Sequence, residues 1–246
     1  MGKLDGQVAL VTGANKGIGK GIALGLAREG ASLVLAARGR DELESASRQV
    51  ASLNVPVLAV PTDVAEESQV EALFSETVRR FGRLDILVNN AGAFDGGPID
   101  QLSTEAWDKV LAVNLRGPFL CTRAAFRIMK GQRRGRIINV GSISAQRVRL
   151  HSAPYSASKH GVWGLTQATA LDGREFGITA CCLNPGNVLV ERRQEGQREG
   201  KEQDVEPMIT VEEIAEVAVL MATLPPHVEM LEATVLPRDQ LFVGRG

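Results

Sequence analysis

Tyr155 and Lys159 are the pair in this chain best suited to moving a proton. They lie four positions apart, which on an α-helix stacks both side chains on one face. A phenol with an ordinary pKa near ~10 is a sluggish donor at neutral pH. An ammonium beside it stabilises the phenolate and fits the acid to its task. Such spacing is common on helix surfaces, but Tyr155 is the one tyrosine of the 246 residues. A second candidate is the run Thr12-Gly-Ala-Asn-Lys-Gly-Ile-Gly19, placed between an apolar stretch and a helical one. Glycines at a strand-to-helix turn let the backbone approach a pyrophosphate and aim N–H groups and the helix dipole at it. Gly13, Gly17 and Gly19 depart from strict G-x-G-x-x-G spacing, and Lys20 is followed by Gly21 rather than the Ser or Thr of a P-loop. A plain packing turn is the alternative. In dinucleotide folds an acid ending the second strand bonds the adenosine ribose, whereas a basic residue accommodates a 2′-phosphate. Here the run Leu35-Ala-Ala-Arg38 offers no acid and ends in a guanidinium, and Lys16 adds a second cation. Two cations and no carboxylate favour NADP(H) over NAD; solvated surface charge is the alternative for each.

Positioning these groups requires alternating strands and helices. Apolar runs at 8–11, 33–36, 57–60, 86–88, 137–140 and 178–183 read as strands, with a last one near 233–236. They are continuous rather than alternating, as in a parallel sheet covered on both faces. Amphipathic stretches near 18–29, 66–81, 105–129 and 156–176 lie between them. Gly30, Gly82 and Gly177 each follow one, where a left-handed cap favours glycine. Thr210-Val-Glu-Glu213 is a capping box opening a helix that Pro225-Pro226 stops. The expected fold is α/β: a doubly wound parallel sheet of about seven strands with helices on both faces, in three αβα layers. No linker or repeat divides residues 1–246, which read as one domain. The segment 191–206 is charged and nearly free of apolar anchors. It reads either as a solvated loop or as a mobile lid, within a substrate loop near 188–210.

Composition removes several classes. Lys plus Arg number 28 against 29 for Asp plus Glu, so the clustered cationic excess that phosphate neutralisation needs is missing and no nucleic-acid partner is expected. No apolar run approaches the roughly 18 residues that span a bilayer. The start shows neither a secretory nor a myristoylation pattern, so a cytoplasmic location without membrane attachment is expected. Cys121, Cys181 and Cys182 read as buried thiols, the adjacent pair facing opposite sides of the sheet. His151, His160 and His227 have no metal-ligand spacing and no metal is expected; His151 alone sits where it could face a substrate. Trp107 and Trp163 read as packing or interface residues.

Thr12-Gly-x-x-x-Gly-Ile-Gly19, Asp63-Val64, Asn89-Asn-Ala-Gly92, Asn114, Ser142, Tyr155-x-x-x-Lys159 and Pro185-Gly186 follow one another in an order and spacing that resembles the short-chain dehydrogenase/reductase family over essentially the whole chain. The resemblance implies a Rossmann-type subunit that moves hydride between a nicotinamide and a carbonyl or alcohol carbon. It implies that Tyr155 exchanges a proton with the substrate oxygen and that Ser142 donates a hydrogen bond to it. Lys159 would hold the nicotinamide ribose and assist Tyr155. Asn114 would hold a water that relays protons to Lys159; a helix residue bonding its own backbone is the alternative. For the cofactor it implies Gly13, Asn15, Lys16, Gly17, Ile18, Gly19 and Arg38, with Asp63 and Val64 at the adenine. Asn89, Ala91 and Gly92 would border the ribose, in part as structural residues, and Pro185, Gly186 and Val188 the nicotinamide.

Two departures from the family pattern matter. Val190 stands where a Thr or Ser often bonds the carboxamide. The carboxyl-terminal stretch 230–246 looks more like the subgroup containing bacterial 3-hydroxy-acid and serine dehydrogenases, which puts the usual tetramer packing in doubt. A homodimer or homotetramer built on 105–129 and 156–176 is still expected. The leading expectation is an NADPH-dependent reductase of a small or medium ketone, aldehyde or 3-oxo compound. The alternatives are an NADP(H)-binding sensor without turnover and a 3-hydroxy-acid dehydrogenase working oxidatively. Arg147, Arg149 and Arg192 hint at an anionic substrate.

Overall fold

A strand with helices on both faces is apolar along most of its length, and the central strands of this chain are, with a few buried polar residues such as Asn89, Asn139 and Asn184 near their carboxyl ends. In the computed structural model, which describes residues 2–198 and 206–242, seven parallel strands form one sheet in the order β3-β2-β1-β4-β5-β6-β7. They are β1 Val8–Thr12, β2 Ser32–Ala37, β3 Val57–Pro61, β4 Ile86–Asn89, β5 Gly135–Val140, β6 Ile178–Pro185 and β7 Glu232–Val235. Alternate residues serve two cores. Ala9, Val11, Leu33, Leu35, Cys181 and Leu183 join one; Val8, Leu10, Val34, Ala36, Ile178 and Ala180 join the other.

Helices α1 (Gly17–Arg28), α2 (Arg40–Ala51) and α8 (Val211–Thr223) bury Leu26, Leu43, Val50 and Ile214 in the first core. Helices α3 (Glu67–Phe81), α5 (Gly117–Gln132) and α6 (Ala153–Gly173) bury Leu73, Leu120 and Ala170 in the second. The chain order reverses between β1 and β4, and open α/β sheets hold ligands at the carboxyl ends of strands on either side of such a reversal. Gly82 and Gly177 take the left-handed cap, at φ +72 and +65, and the Thr210/Glu213 capping box forms.

Three sequence expectations change. The stretch 105–129 is not one helix: α4 (Thr104–Leu111) and α5 are joined by a π-helical turn, Ala112–Arg116. Helix α2 was not expected at all, because only Leu43, Ala46 and Val50 are buried on an otherwise charged stretch. The start of the charged segment is helical, α7 (Glu191–Arg198), rather than a loop; residues 199–205 and 243–246 of the sequence expectations lie outside the described residues. Among the described residues no helix is long and apolar enough to cross a membrane.

Candidate active site

The glycine turn follows β1 and opens α1. Gly13 has φ +64, and a Cβ there would lie 2.9 Å from Ala91 Cα and Asn90 Nδ2, so a side chain would separate the turn from the β4 loop. Thr12 and Asn90 hold the two together: Asn90 donates from Nδ2 to the Thr12 and Gly13 carbonyls at 3.0 and 3.1 Å, and the Asn90 N–H donates to Thr12 Oγ1 at 3.0 Å. Gly13, Asn15, Lys16, Arg38, Asp63, Val64, Ala91 and Gly92 line one crevice of about 260 Å³. Gly17 stands at its edge, on the neighbouring cleft that Glu191 shares. Ile18 packs on the core, and Gly19 leaves room for the Asn90 amide.

The amino end of α1 already carries an anion. The Glu191 carboxylate accepts the Gly17 N–H at 3.0 and 3.3 Å and pairs with Lys20 at 3.3 Å. Burial pushes the Glu191 carboxyl up, but its own backbone N–H, the Gly17 N–H and Lys20 outweigh that and hold it below the usual carboxylate range. A carboxylate resting on a glycine turn and a helix N-terminus is the stand-in for a phosphate that such a turn accommodates, so the residues present fit a dinucleotide. In the same crevice, Arg38 lies 3.9 Å from Asp63 and Lys16 lies 3.5 Å from Glu42, while Asn15 Nδ2 donates to Glu42 at 2.5 Å. Glu42 was missed from sequence because nothing marked α2, which delivers it.

The second group of residues lines a cleft of about 390 Å³ beside the ends of β5 and β6. Ser142 follows β5; its N–H donates to Asn184 Oδ1 at 3.0 Å and its Oγ accepts the Ser144 N–H at 3.1 Å. Tyr155 lies in the first turn of α6, against the Phe94 ring at 5.4 Å between centroids. Lys159 is buried, donates to the Val140 carbonyl at 2.8 Å and places its ammonium 5.6 Å from the Tyr155 ring centre. Ser142 and Tyr155 therefore line one cleft, with the Lys159 ammonium held against the Tyr155 ring. Gly186 and Asn187 line the same cleft.

Asn114 is not bonded within its own helix. The π-turn aims its side chain across the fold, where Oδ1 accepts the Ala93 N–H at 2.7 Å and Nδ2 donates to the Ala93 carbonyl at 2.9 Å and to Ser158 Oγ at 3.3 Å. It thus ties the β4 loop to α6. Besides Ile18, Gly19, Asn114 and Lys159, which pack behind the clefts, three further predicted residues line none of them. The Asn89 side chain is buried and donates to Asn139 Oδ1 and Thr122 Oγ1. Val188 is in the core, and Pro185 is the buried end of β6. His151 is exposed on the 147–151 loop at φ +57 and does not line the cleft. Phe94 and Arg193, which do, were missed: neither carried a spacing signal. Among the described residues no cluster of His, Cys, Asp or Glu fits a metal ion.

A family model described as short chain dehydrogenase matches residues 7–201. An uncharacterised oxidoreductase of Bacillus subtilis (strain 168) is 38% identical over 234 residues, covering 88% of this chain and 91% of that protein. Among solved structures, a variant of actinorhodin polyketide ketoreductase with NADPH is similar at 32% identity and a TM-score of 0.87, covering 96% of this chain and 98% of that one. NAD+-bound xylitol dehydrogenase is similar at 27% identity and a TM-score of 0.88, covering 95% and 98%. The chain belongs to the short chain dehydrogenase family and is an oxidoreductase of the NAD(P)-dependent kind.

Proposed function

We propose that the protein is an NADPH-dependent reductase that reduces the carbonyl of a small or medium ketone, aldehyde or 3-oxo compound. The observation that carries this reading is the shared cleft of Ser142 and Tyr155, with the buried Lys159 ammonium against the Tyr155 ring. Gly13, Asn15, Lys16, Gly17, Arg38, Asp63, Val64, Ala91 and Gly92 would hold the dinucleotide, and Gly186 the nicotinamide end. When bound, the cofactor supplies hydride to the carbonyl carbon. Tyr155 gives its proton to the carbonyl oxygen as negative charge develops there, and Ser142 stabilises that charge by donating a hydrogen bond. Lys159, held by the Val140 carbonyl, keeps a positive charge behind the phenol. Asn114 positions the β4 loop and α6 relative to one another. Mixing protein, NADPH and a panel of carbonyl compounds should give loss of nicotinamide absorbance. Tyr155→Phe should reduce it by about 10²–10⁴-fold without moving Tm; retained turnover in that variant removes Tyr155 as the acid.

A second reading is NAD-dependent oxidation of an alcohol. Glu42, a carboxylate 3.5 Å from Lys16, favours it, since an acid near the adenosine ribose suits NAD; the structural likeness to NAD+-bound xylitol dehydrogenase agrees. The ratio of kcat/KM for NADPH and NADH in the unmodified protein decides between the two cofactors. We also infer a homodimer or homotetramer. Phe119 on α5 is 45% exposed and Leu171 on α6 is 61% exposed, apolar surface on the two helices expected to pair; sedimentation of the full chain tests it.

A further inference from the structure

The cleft holding Ser142 and Tyr155 is lined by Arg149, Arg192 and Arg193, and among the described residues no carboxylate lines it. Guanidiniums lining a reaction cleft favour a substrate that carries negative charge. Arg149 shows what chemistry the cleft accepts. Its guanidinium donates to Asn187 Oδ1 at 2.7 Å and to Glu206 Oε2 at 3.4 Å. The Asn187 amide donates to that same Glu206 oxygen at 2.6 Å. One carboxylate oxygen thus collects a guanidinium and an amide at the rim of the cleft.

The two sides of this contact differ in how they are held. Asn187 is buried, its N–H donating to Gln240 Oε1 at 2.9 Å, and the Arg149 carbonyl is tied down by the Ser152 hydroxyl at 2.6 Å. The Asn187 amide and the Arg149 backbone are therefore fixed by the fold, while the Arg149 side chain is itself 45% exposed. The Glu206 side chain is half exposed and meets them from the rim. Exposed ion pairs of this kind are weak, so a ligand carboxylate reaching Arg149 from inside the cleft can replace it.

Resting on the reductase reading of the cleft, we propose that the substrate is an oxo acid. Its carbonyl meets Tyr155 and Ser142, and its carboxylate takes the place of Glu206 on Arg149 and Asn187. The chemistry balances as before. The carbonyl carbon gains hydride from NADPH and the oxygen gains the Tyr155 proton, which solvent replaces. NADP+ and the hydroxy acid leave, and the carboxylate is unchanged throughout. Arg149 is on this reading a specificity residue.

The test compares oxo acids of graded chain length with their methyl esters, with NADPH as cofactor. The unmodified protein should prefer the best acid over its ester by about tenfold or more in kcat/KM. Arg149→Ala should lower turnover of the acid by roughly 10- to 100-fold and leave the ester within about threefold. Glu206→Gln should act in the opposite direction, lowering KM for the acid several-fold and sparing the ester. If the Arg149–Glu206 pair merely braces the loop, both variants shift in the same direction, and that result overturns the proposal. Calorimetric titration of the acid and ester into Tyr155→Phe loaded with NADPH gives a readout free of turnover. Equal binding of acid and ester there overturns the proposal, even where neutral carbonyls are reduced. Tighter acid binding that Arg149→Ala abolishes supports it, even where the unmodified protein reduces nothing, an outcome that sinks only the reductase reading.

Discussion

At the amino edge of the sheet Asp85, with a side chain only 2% exposed, accepts the Val8 N–H at 2.9 Å and two bonds from Arg83 at 2.8 and 2.7 Å. Beside it the Arg136 guanidinium donates to the carbonyls of Leu224, Pro225 and Val228. At the carboxyl edge the polar groups are arranged differently. Asn90, Asn114 and Asn184 hold backbone in place, and Ser142 and Tyr155 line a cleft. One edge closes its charges on its own chain; the other braces its backbone with amides and keeps its reactive groups outward. Both edges carry buried polar residues, so burial does not separate structure from function here. What separates them is whether a residue lines a cleft or backs one that does. Ser142 and Lys159 also bond backbone, yet Ser142 lines the cleft and Lys159 stands 5.6 Å from the Tyr155 ring centre.

Substitution at the two edges should give opposite phenotypes. Lys159→Met removes the charge behind the phenol. Turnover should fall by about 10²–10⁴-fold, and Tm should move by no more than a few degrees, since one bond to the Val140 carbonyl is lost. A fall in Tm large enough to explain the loss would place Lys159 with the bracing groups. Asp85→Ala should do the reverse. It leaves the Val8 N–H without its acceptor and Arg83 without its partner, at a cost of about 2–4 kcal/mol and a Tm lowered by roughly 5–10 °C. Rate per folded molecule should stay within about twofold. A kcat change beyond that would break the distinction between the edges.

The carboxyl edge was the more legible of the two in sequence, because turns that present groups to a ligand use residues with special backbone demands. Gly13 at φ +64 cannot carry a Cβ without meeting Ala91, so the turn appears as glycines. Tyr155 and Lys159 are legible through helical spacing together with Tyr155 being the one tyrosine of the chain. The bracing role of Asn114 is not, since it depends on a π-turn that aims the side chain at Ala93 rather than along the helix. Asn89 looked like a site residue through its neighbours, yet its amide faces Asn139 in the core. Glu42 was invisible for a different reason. Helix α2 has only three buried side chains, too few for a periodic signal, and the acid reaches Lys16 and Asn15 only once that helix has packed. The strands were readable because parallel strands covered on both faces carry near-continuous apolar runs, which their few polar residues, such as Asn89 and Asn139, do not mask.

Within the carboxyl edge, the crevice proposed to take the adenosine offers a finer comparison. Arg38 and Lys16 each face a carboxylate, Asp63 at 3.9 Å and Glu42 at 3.5 Å, and both side chains are more than half exposed. Arg38→Asp should lower the NADPH-to-NADH ratio of kcat/KM by roughly 10- to 100-fold, the range expected for a charge-assisted phosphate contact. An unchanged ratio would mean that Glu42 already dominates this end. Glu42→Gln should then raise the ratio by a smaller factor, since it frees Lys16 without adding a charge.

The smallest effect expected is at Glu191, and its sign is what matters. Its carboxylate sits on the Gly17 N–H and Lys20, where a dinucleotide phosphate would rest, so it stabilises the free protein and opposes cofactor binding. Glu191→Gln should lower the Tm of the cofactor-free protein slightly and tighten NADPH binding by about two- to fivefold, matching the few tenths to ~1 kcal/mol of a partly exposed charge at a helix amino end. Because the Glu191 pKa is lowered on folding, its stabilising share is fully present above the unfolded carboxyl's range and is lost as pH falls through the depressed folded value. The Tm gap between the two proteins should therefore close on acidification. A variant that loses Tm and NADPH affinity together would make Glu191 a brace like Asn90, and the free anion seat at the carboxyl edge would have to be sought elsewhere.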